Sequence, residues 1–338
     1  MEQTVRISNE VSREKGIPGS TLKIIAIITM FIDHIGAVVL EGKLSDLGMA
    51  QAMQTQEGLQ EFMAQYGVLY LMDMIMRLIG RMGFPIFCFL LIEGFMHTRS
   101  RLKYGRNLLL FALISEVPFD LAITRGMGDV PKIGGVFYPY YQNVFFTLFI
   151  GLLCMCGYEF VSRHAEEFGK NIGTKVLAWV VRITGIVLPA VVIRAMIRNY
   201  IGELPDRICW SVGILVPVLL YAAVFISKNS VASYQVLCTD VTILALGALM
   251  ADVFHKDYSS LGIVTITFMY AFRKNHVKSV LAGCIALTAF NFIEITSFFT
   301  LIPVKKYNGE RGLSMKYFFY AFYPVHLLLL YLISRYVV

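Results

Sequence analysis

Charge is what this 338-residue chain lacks most: 16% of residues are Asp, Glu, Lys or Arg, while 57% are hydrophobic. Soluble domains carry about a quarter charged residues, so a soluble fold is excluded. Short alternating strands are also missing, which excludes a β-barrel and leaves helices as the spanning element. Cysteines are few and unpaired in pattern. Cys88, Cys154, Cys156, Cys209, Cys238 and Cys284 mostly fall inside apolar runs without metal-ligand spacing. The expectation is buried free thiols, with neither a disulfide framework nor a bound metal. No internal repeat, low-complexity tract or soluble domain boundary is evident. Nor does the polar, mixed-charge start form a basic stub before a cleavage site, so the first apolar run reads as a retained span.

What is present is a series of apolar runs long enough to cross a bilayer. The chain reads as an all-α polytopic membrane bundle of about ten transmembrane helices with both termini cytoplasmic. Residues 1–20 form a cytoplasmic N-terminal segment and 21–338 a single integral membrane domain. The net charge of +7 comes from short basic clusters between runs, as topology signals do, and not from a nucleic-acid surface.

The first run, TLKIIAIITMFIDHIGAVVLE (residues 21–41), carries Asp33 and His34 side by side. Ionisable groups cost several kcal/mol in hydrocarbon, so a chain that keeps them there uses them. Residues 41–65 lean acidic and belong outside. An apolar stretch at 66–82 carries Asp73, Arg77 and Arg81 on one helical stripe. A second long run, MGFPIFCFLLIEGFMHT, holds Glu93 and His97, and the basic loop behind it, with Arg99, Arg101, Lys103 and Arg106, belongs in the cytoplasm. The third run holds Glu116 and Asp120 around Pro118, the pattern of an opened helix lining a cavity. Further spans are expected at about 143–161, 174–197, 208–227, 234–251, 259–273, 279–302 and 317–337.

One loop disagrees with that count. Lys305, Lys306, Arg311 and Lys316 fall outside, against the charge rule. Either a span is miscounted, or the loop dips inward and holds a functional cation cluster; the second reading is adopted here.

Polar residues on three successive helices imply a shared cavity. An imidazole there takes a proton from an amine or hydroxyl attacking a carbonyl, and arginines hold negative charge. A histidine bonded between helices is the plain alternative for His34. In the last segment, Tyr307 and Asn308 form a turn, Tyr323 precedes Pro324, and His326 is expected near a helix start at the membrane interface. Asn291 and Glu294 lie one turn apart in the preceding span.

Several stretches together resemble the TraX family: LKIIAIITMFIDHIG, the segment from RLIGRMGFPIFCF to SEVPFDL, QNVFFTLFIGLL, and YNGERG with FYAFYPVHLLLL. The resemblance covers both ends and much of the first half; residues 160–250 contribute no motif. It implies an activity like acetylation of a pilin N-terminus. The implied fold is similar to transmembrane acyltransferases, whose first helix carries a proton-handling histidine.

On that resemblance the chain is a multi-pass acetyltransferase of the bacterial cytoplasmic membrane. It moves acetyl from cytoplasmic acetyl-CoA to an amine or hydroxyl of a peptide, pilin or surface glycan. His34 becomes general base or acetyl relay, with Asp33, Glu93 and Glu116 catalytic. Arg77, Arg81, His97, Arg99, Arg101, Arg106 and Arg311 are assigned to the donor. Asp120, Asn143, Tyr307, Asn308, Tyr323 and His326 are assigned to the acceptor. A proton-coupled secondary transporter is the alternative, because buried acids and broken helices also suit ion pathways.

Overall fold

Backbone amides and carbonyls inside a bilayer need partners within the protein, and the chain meets this demand with helices almost throughout. The computed structural model describes residues 16–125, 127, 130–167, 172–228, 231–253, 258–314 and 316–337. Most of the expected N-terminal segment, residues 1–15, lies outside the described residues. Among the described residues there is no strand, only two isolated bridges. Seven helices there are long and apolar enough to cross a membrane, and Ser259–Ala271 and His276–Phe290 are shorter apolar helices. The protein is a multi-pass, all-α membrane protein.

The first crossing comprises α1 (Gly19–His34), a π-helical turn (Ile35–Leu40) and α2 (Glu41–Asp46). A short α3 (Met49–Ala52) leads to α4 (Gln56–Gly80), capped by Thr55, whose hydroxyl accepts from the Gly58 amide. Helix α5 (Gly83–His97) continues in the same direction after a break at residues 81–82. The glycine register shows this: Gly36 faces Asp73 and Arg77, Gly80 faces Asp33, and Gly83 faces Ala26 and Thr29. The apolar stretch at 66–82 and the second long run are therefore two halves of one path back along α1. Helix α5 is the centre of the core, with Ile86, Cys88, Phe89, Leu91, Ile92 and Phe95 all buried.

Helix α6 (Arg101–Ile123) follows, capped by Ser100, and Pro118 lies inside it without ending it. The expected opening of this helix is not found: a single missing amide hydrogen bond is tolerated where neighbouring helices pack around it. Helices α7 (Val144–Arg163), α8 (Ile172–Met196), α9 (Asp206–Lys228) and α10 (Val231–Val253) complete the long crossings of the middle. On α8 and α9, Trp179, Ile183, Val187, Leu215 and Leu219 are exposed, as lipid-facing positions are.

After α11 (Ser259–Ala271) the chain departs from expectation. The run at 279–302 does not cross. Helix α12 (His276–Phe290) enters from the face that holds Glu93 and Tyr307 and stops at Asn291, whose backbone is extended (φ −141°, ψ 103°). A 3-10 segment (Phe292–Thr300) and α13 (Leu301–Lys305) return to the same face. The two arms touch where the Cys284 thiol meets the Ser297 carbonyl at 3.4 Å. Asn291 causes the turn, because its side chain accepts from the Ile293 amide and competes with the helical ladder.

This hairpin settles the charge disagreement. Lys305, Lys306 and Arg311 lie on the same face as the basic loops around Arg99 and Arg273, because the span before them was miscounted. Backbone contacts fix the placement. The first amides of α1, at Gly19 and Ser20, donate to the Glu310 and Arg311 carbonyls at 2.7 and 3.0 Å. Gly312 takes a left-handed φ of 66°, and a Cβ there would sit 2.1 Å from Ser20 Oγ. The YNGERG turn is thus the cap of the first helix.

Helix α14 (Lys316–Tyr336) then runs parallel to α1. Lys23 lies over Phe319, Phe31 against Phe322, and Gly42 faces Ser334. At the far end Arg125 pairs with Asp46. Gly16 and Val337 consequently emerge at opposite faces, which corrects the expectation of both ends on one side.

Cysteine scanning with a membrane-impermeant maleimide checks this topology. Five of the six native thiols are buried, so background labelling is low. Arg99→Cys and Ser314→Cys label from one side, Gln54→Cys and Tyr336→Cys from the other. Labelling of position 314 together with position 54 would restore the crossing hairpin.

Candidate functional site

The first helix carries His34 to the point where its regular winding ends. The π-helical turn starts at the next residue, and such turns recur at functional sites. His34 lies 15 residues into a helix rising 1.5 Å per residue, about 22 Å beyond Gly19 and deep in the bilayer. His34 is 8% exposed and meets His326, which is 3% exposed, edge to edge in nearly one plane, with centroids 4.9 Å apart and planes at 4°. Tyr323 meets His34 edge-on, and Phe31 and Phe322 flank His326. His326 is well inside α14, not at a helix start at the interface as expected.

Hydrogen bonding fixes the tautomers of two neutral rings. His326 Nδ1 lies 2.7 Å from the Phe322 carbonyl, which only accepts, so that nitrogen carries the proton. His326 Nε2 is then an acceptor, 2.6 Å from His34 Nδ1, which must donate. The lone pair of the dyad is left on His34 Nε2. No further hydrogen bond to His34 is found among the described residues. The orienting group is therefore His326, and Asp33 points to a different neighbour.

Asp33 belongs to an acid–arginine cluster on the α4 side of α1. Arg77 reaches Asp33 Oδ2 at 2.6 Å and Glu41 Oε1 at 3.3 Å. Gly80 permits this approach, since a Cβ there would lie 2.2 Å from the Asp33 Cβ. Asp33 Oδ1 and the buried Asp73 Oδ1 have no hydrogen-bond partner among the described residues. At the break between α4 and α5, Arg81 pairs with Glu294 at 3.0 Å, the latter's side chain only 2% exposed. The hairpin also donates to the last carbonyls beside the break: Thr296 Oγ1 to Leu78 O at 2.7 Å and Thr300 Oγ1 to Met82 O at 3.4 Å. Two interrupted elements thus complete each other where no water is at hand.

The other candidates form separate groups. Glu93 accepts from the Tyr307 hydroxyl at 3.3 Å and lies 3.6 Å from His276 Nε2, while His97 Nδ1 donates to the Glu93 carbonyl. Burial, and then the Glu93 carboxylate, push the Tyr307 phenol up to about 12, so it remains a donor. Glu116 accepts from Asn143 Nδ2 at 2.5 Å, and Asp120 accepts from the Tyr138 amide at 2.9 Å, which ties the loop before α7 to α6. Arg101 pairs with Glu159 and lies over Phe95. Arg99 and Arg106 are exposed, Arg311 donates to Ser314, and Asn308 caps its own turn.

The single chamber expected from the sequence is thus distributed. Tyr323 and His326 are brought to His34, and Arg77 to Asp33. Glu93 and Tyr307 meet near the basic face, while Glu116, Asp120 and Asn143 meet elsewhere. Glu41 and His276 were not singled out as site residues. Their partners lie far along the chain, and no local pattern marks them.

Because Glu294 is buried, deleting it strands Arg81 in a low-dielectric site. Glu294→Ala is expected to cost about 3–5 kcal/mol, and Arg81→Met with Glu294→Leu to recover most of it. Thermal melts in detergent measure both. A single variant as stable as the parent would remove this pair from the fold's determinants.

A fimbrial protein of Dichelobacter nodosus, named "Probable fimbrial assembly protein FimC, serogroup H1", is 28% identical over 145 residues, 43% of this chain and 48% of that protein. The chain thus spans about half the length of that relative. No solved structure matches. The family described as TraX protein matches residues 18–192 and 195–334, nearly the whole of the described bundle. This chain belongs to the TraX family.

Proposed function

We propose that the protein is a membrane-bound acetyltransferase that moves an acetyl group from acetyl-CoA to an amine or hydroxyl acceptor, with His34 as general base. The observation that carries the reading is the dyad: an imidazole deep in the bilayer whose partner leaves its Nε2 lone pair available. In this chemistry the acceptor nitrogen or oxygen attacks the thioester carbonyl carbon as His34 Nε2 takes its proton. The tetrahedral adduct then expels the coenzyme A thiolate, which recovers the proton from His34. His326 holds the His34 tautomer, as an orienting partner does in hydrolytic triads.

Topology supports a cytoplasmic donor. The loops around Arg99, Arg273 and Lys305 share one face, and the positive-inside rule assigns that face to the cytoplasm of a bacterial inner membrane. Family membership and the fimbrial name of the relative favour a peptide or pilin amine as acceptor. A surface glycan hydroxyl fits the same chemistry.

Proton-coupled transport is the second reading. The hairpin that returns at Asn291 and meets the break at Arg81 has the form of discontinuous helices at a transporter midplane. Reconstitution separates the two. With radiolabelled acetyl-CoA, the purified protein is expected to release coenzyme A thiol, and His34→Ala to lower that rate about 10²–10⁴-fold, the usual share of a general base. His326→Ala should lower it by less and alter the pH profile. Undiminished thiol release by His34→Ala, or proton-driven solute uptake without an acyl donor, would overturn the acetyltransferase.

A further inference from the structure

Both faces of the first crossing keep their register through its π-helical turn. Toward α4, Asp33, Gly36 and Glu41 all meet Arg77: its guanidinium bonds both carboxylates, and a Cβ on Gly36 would lie 3.2 Å from its Cδ. Toward α14, His34 meets His326, and Gly42 faces Ser334. Asp33 and Glu41 are eight residues apart, and so are His34 and Gly42. In an unbroken α-helix eight residues make two turns and about 80° more, so neither pair would share a face. The π turn admits one extra residue, and the Glu41 amide donates to the Gly36 carbonyl five residues back. Each pair then stands as seven positions do in a regular helix, about 20° apart.

Such winding is rare, and here a neighbouring side chain spans it. Arg77 Nη1 donates to the Asp33 carboxylate at 2.6 Å and to the Asp33 carbonyl at 3.5 Å, while Nε lies 3.3 Å from Glu41 Oε1. One planar fork thus grips the residues before and after the turn. Relaxing the turn to an α-helix would rotate the two flanking segments against each other by about 100°. The segment after it is fixed, because Gly42 lies against Ser334 and Asp46 pairs with Arg125. The rotation would therefore fall on His34 and carry its ring off His326.

We propose that Arg77 is the positioning residue of His34: by clamping Asp33 to Glu41 it keeps the π turn wound, and the π turn aims the imidazole at His326. Its effect on the dyad stands by itself, and its effect on catalysis rests on the acetyltransferase reading.

The dyad bond itself is the readout, with the full chain in lipid bilayers and its histidines labelled with nitrogen-15. Solid-state NMR detects the correlation between His34 Nδ1 and His326 Nε2, assigned by its loss in His34→Gln and in His326→Gln. The parent is expected to show it. Arg77→Met alone would leave Asp33, Glu41 and the nearby Asp73 without a guanidinium, which endangers folding. Two milder changes are therefore measured. Glu41→Gln removes the partly exposed arm of the clamp and should weaken the correlation; the neutral triple variant Arg77→Met, Asp33→Asn, Glu41→Gln should lose it. Arg81→Met with Glu294→Leu deletes the neighbouring ion pair, serves as the control and should keep it. In turnover the triple variant should lower kcat about 10²-fold, as a misaimed catalytic group does, with KM for acetyl-CoA unchanged. A parent-like correlation in the triple variant overturns the clamp. Its loss in the control as well makes the effect a general loosening of α4 and overturns the clamp too. Loss of the correlation with kcat unchanged overturns the acetyltransferase reading and leaves the clamp standing.

Discussion

An imidazole N–H buried in hydrocarbon needs an acceptor within the protein, and that need joins the two ends of this fold. His34 finds its partner 292 residues away in His326, so α1 and α14 lie side by side, and the contacts of Lys23 with Phe319 and Gly42 with Ser334 show that they run in the same direction. The closing turn follows from the same constraint. For α14 to start beside α1, the chain has to return to the basic face, and the carbonyls of Glu310 and Arg311 there satisfy the first amides of α1. One hydrogen-bonded pair of rings and one backbone cap thus define the first and last crossings together.

The interrupted elements obey the same requirement. A break at Arg81 and a turn at Asn291 would each leave backbone groups without partners in a bilayer, and either alone is costly. Placed against one another they are mutually sufficient, since Thr296 and Thr300 donate to carbonyls beside the break and Glu294 neutralises Arg81. Polar groups in the lipid region meet at this junction and at the adjoining Asp33–Arg77 cluster, and others pair between helices, as Arg182 does with Gln235. The outer faces of α8 and α9 remain apolar.

This arrangement separates two polar regions. Basic loops gather on one face, and the histidine dyad lies about 22 Å further along α1. The family model spans both regions, matching residues 18–192 and 195–334.

Composition and run length were enough to establish a helical membrane protein, because the bilayer admits little else at this hydrophobicity. The adjacency of Asp33 and His34 within the first run marked a buried polar region for the same reason: ionisable groups are expensive there. Topology at the hairpin was not legible, since an apolar run of 24 positions from 279 to 302 reads alike whether it crosses or folds back at Asn291. Nor did the sequence identify which group orients His34. Residues adjacent on a helix point about 100° apart, so Asp33 turned to Arg77 and the ring turned to His326. Local pattern determined what each segment is; contacts between segments hundreds of residues apart, which no periodicity encodes, decided which charges meet.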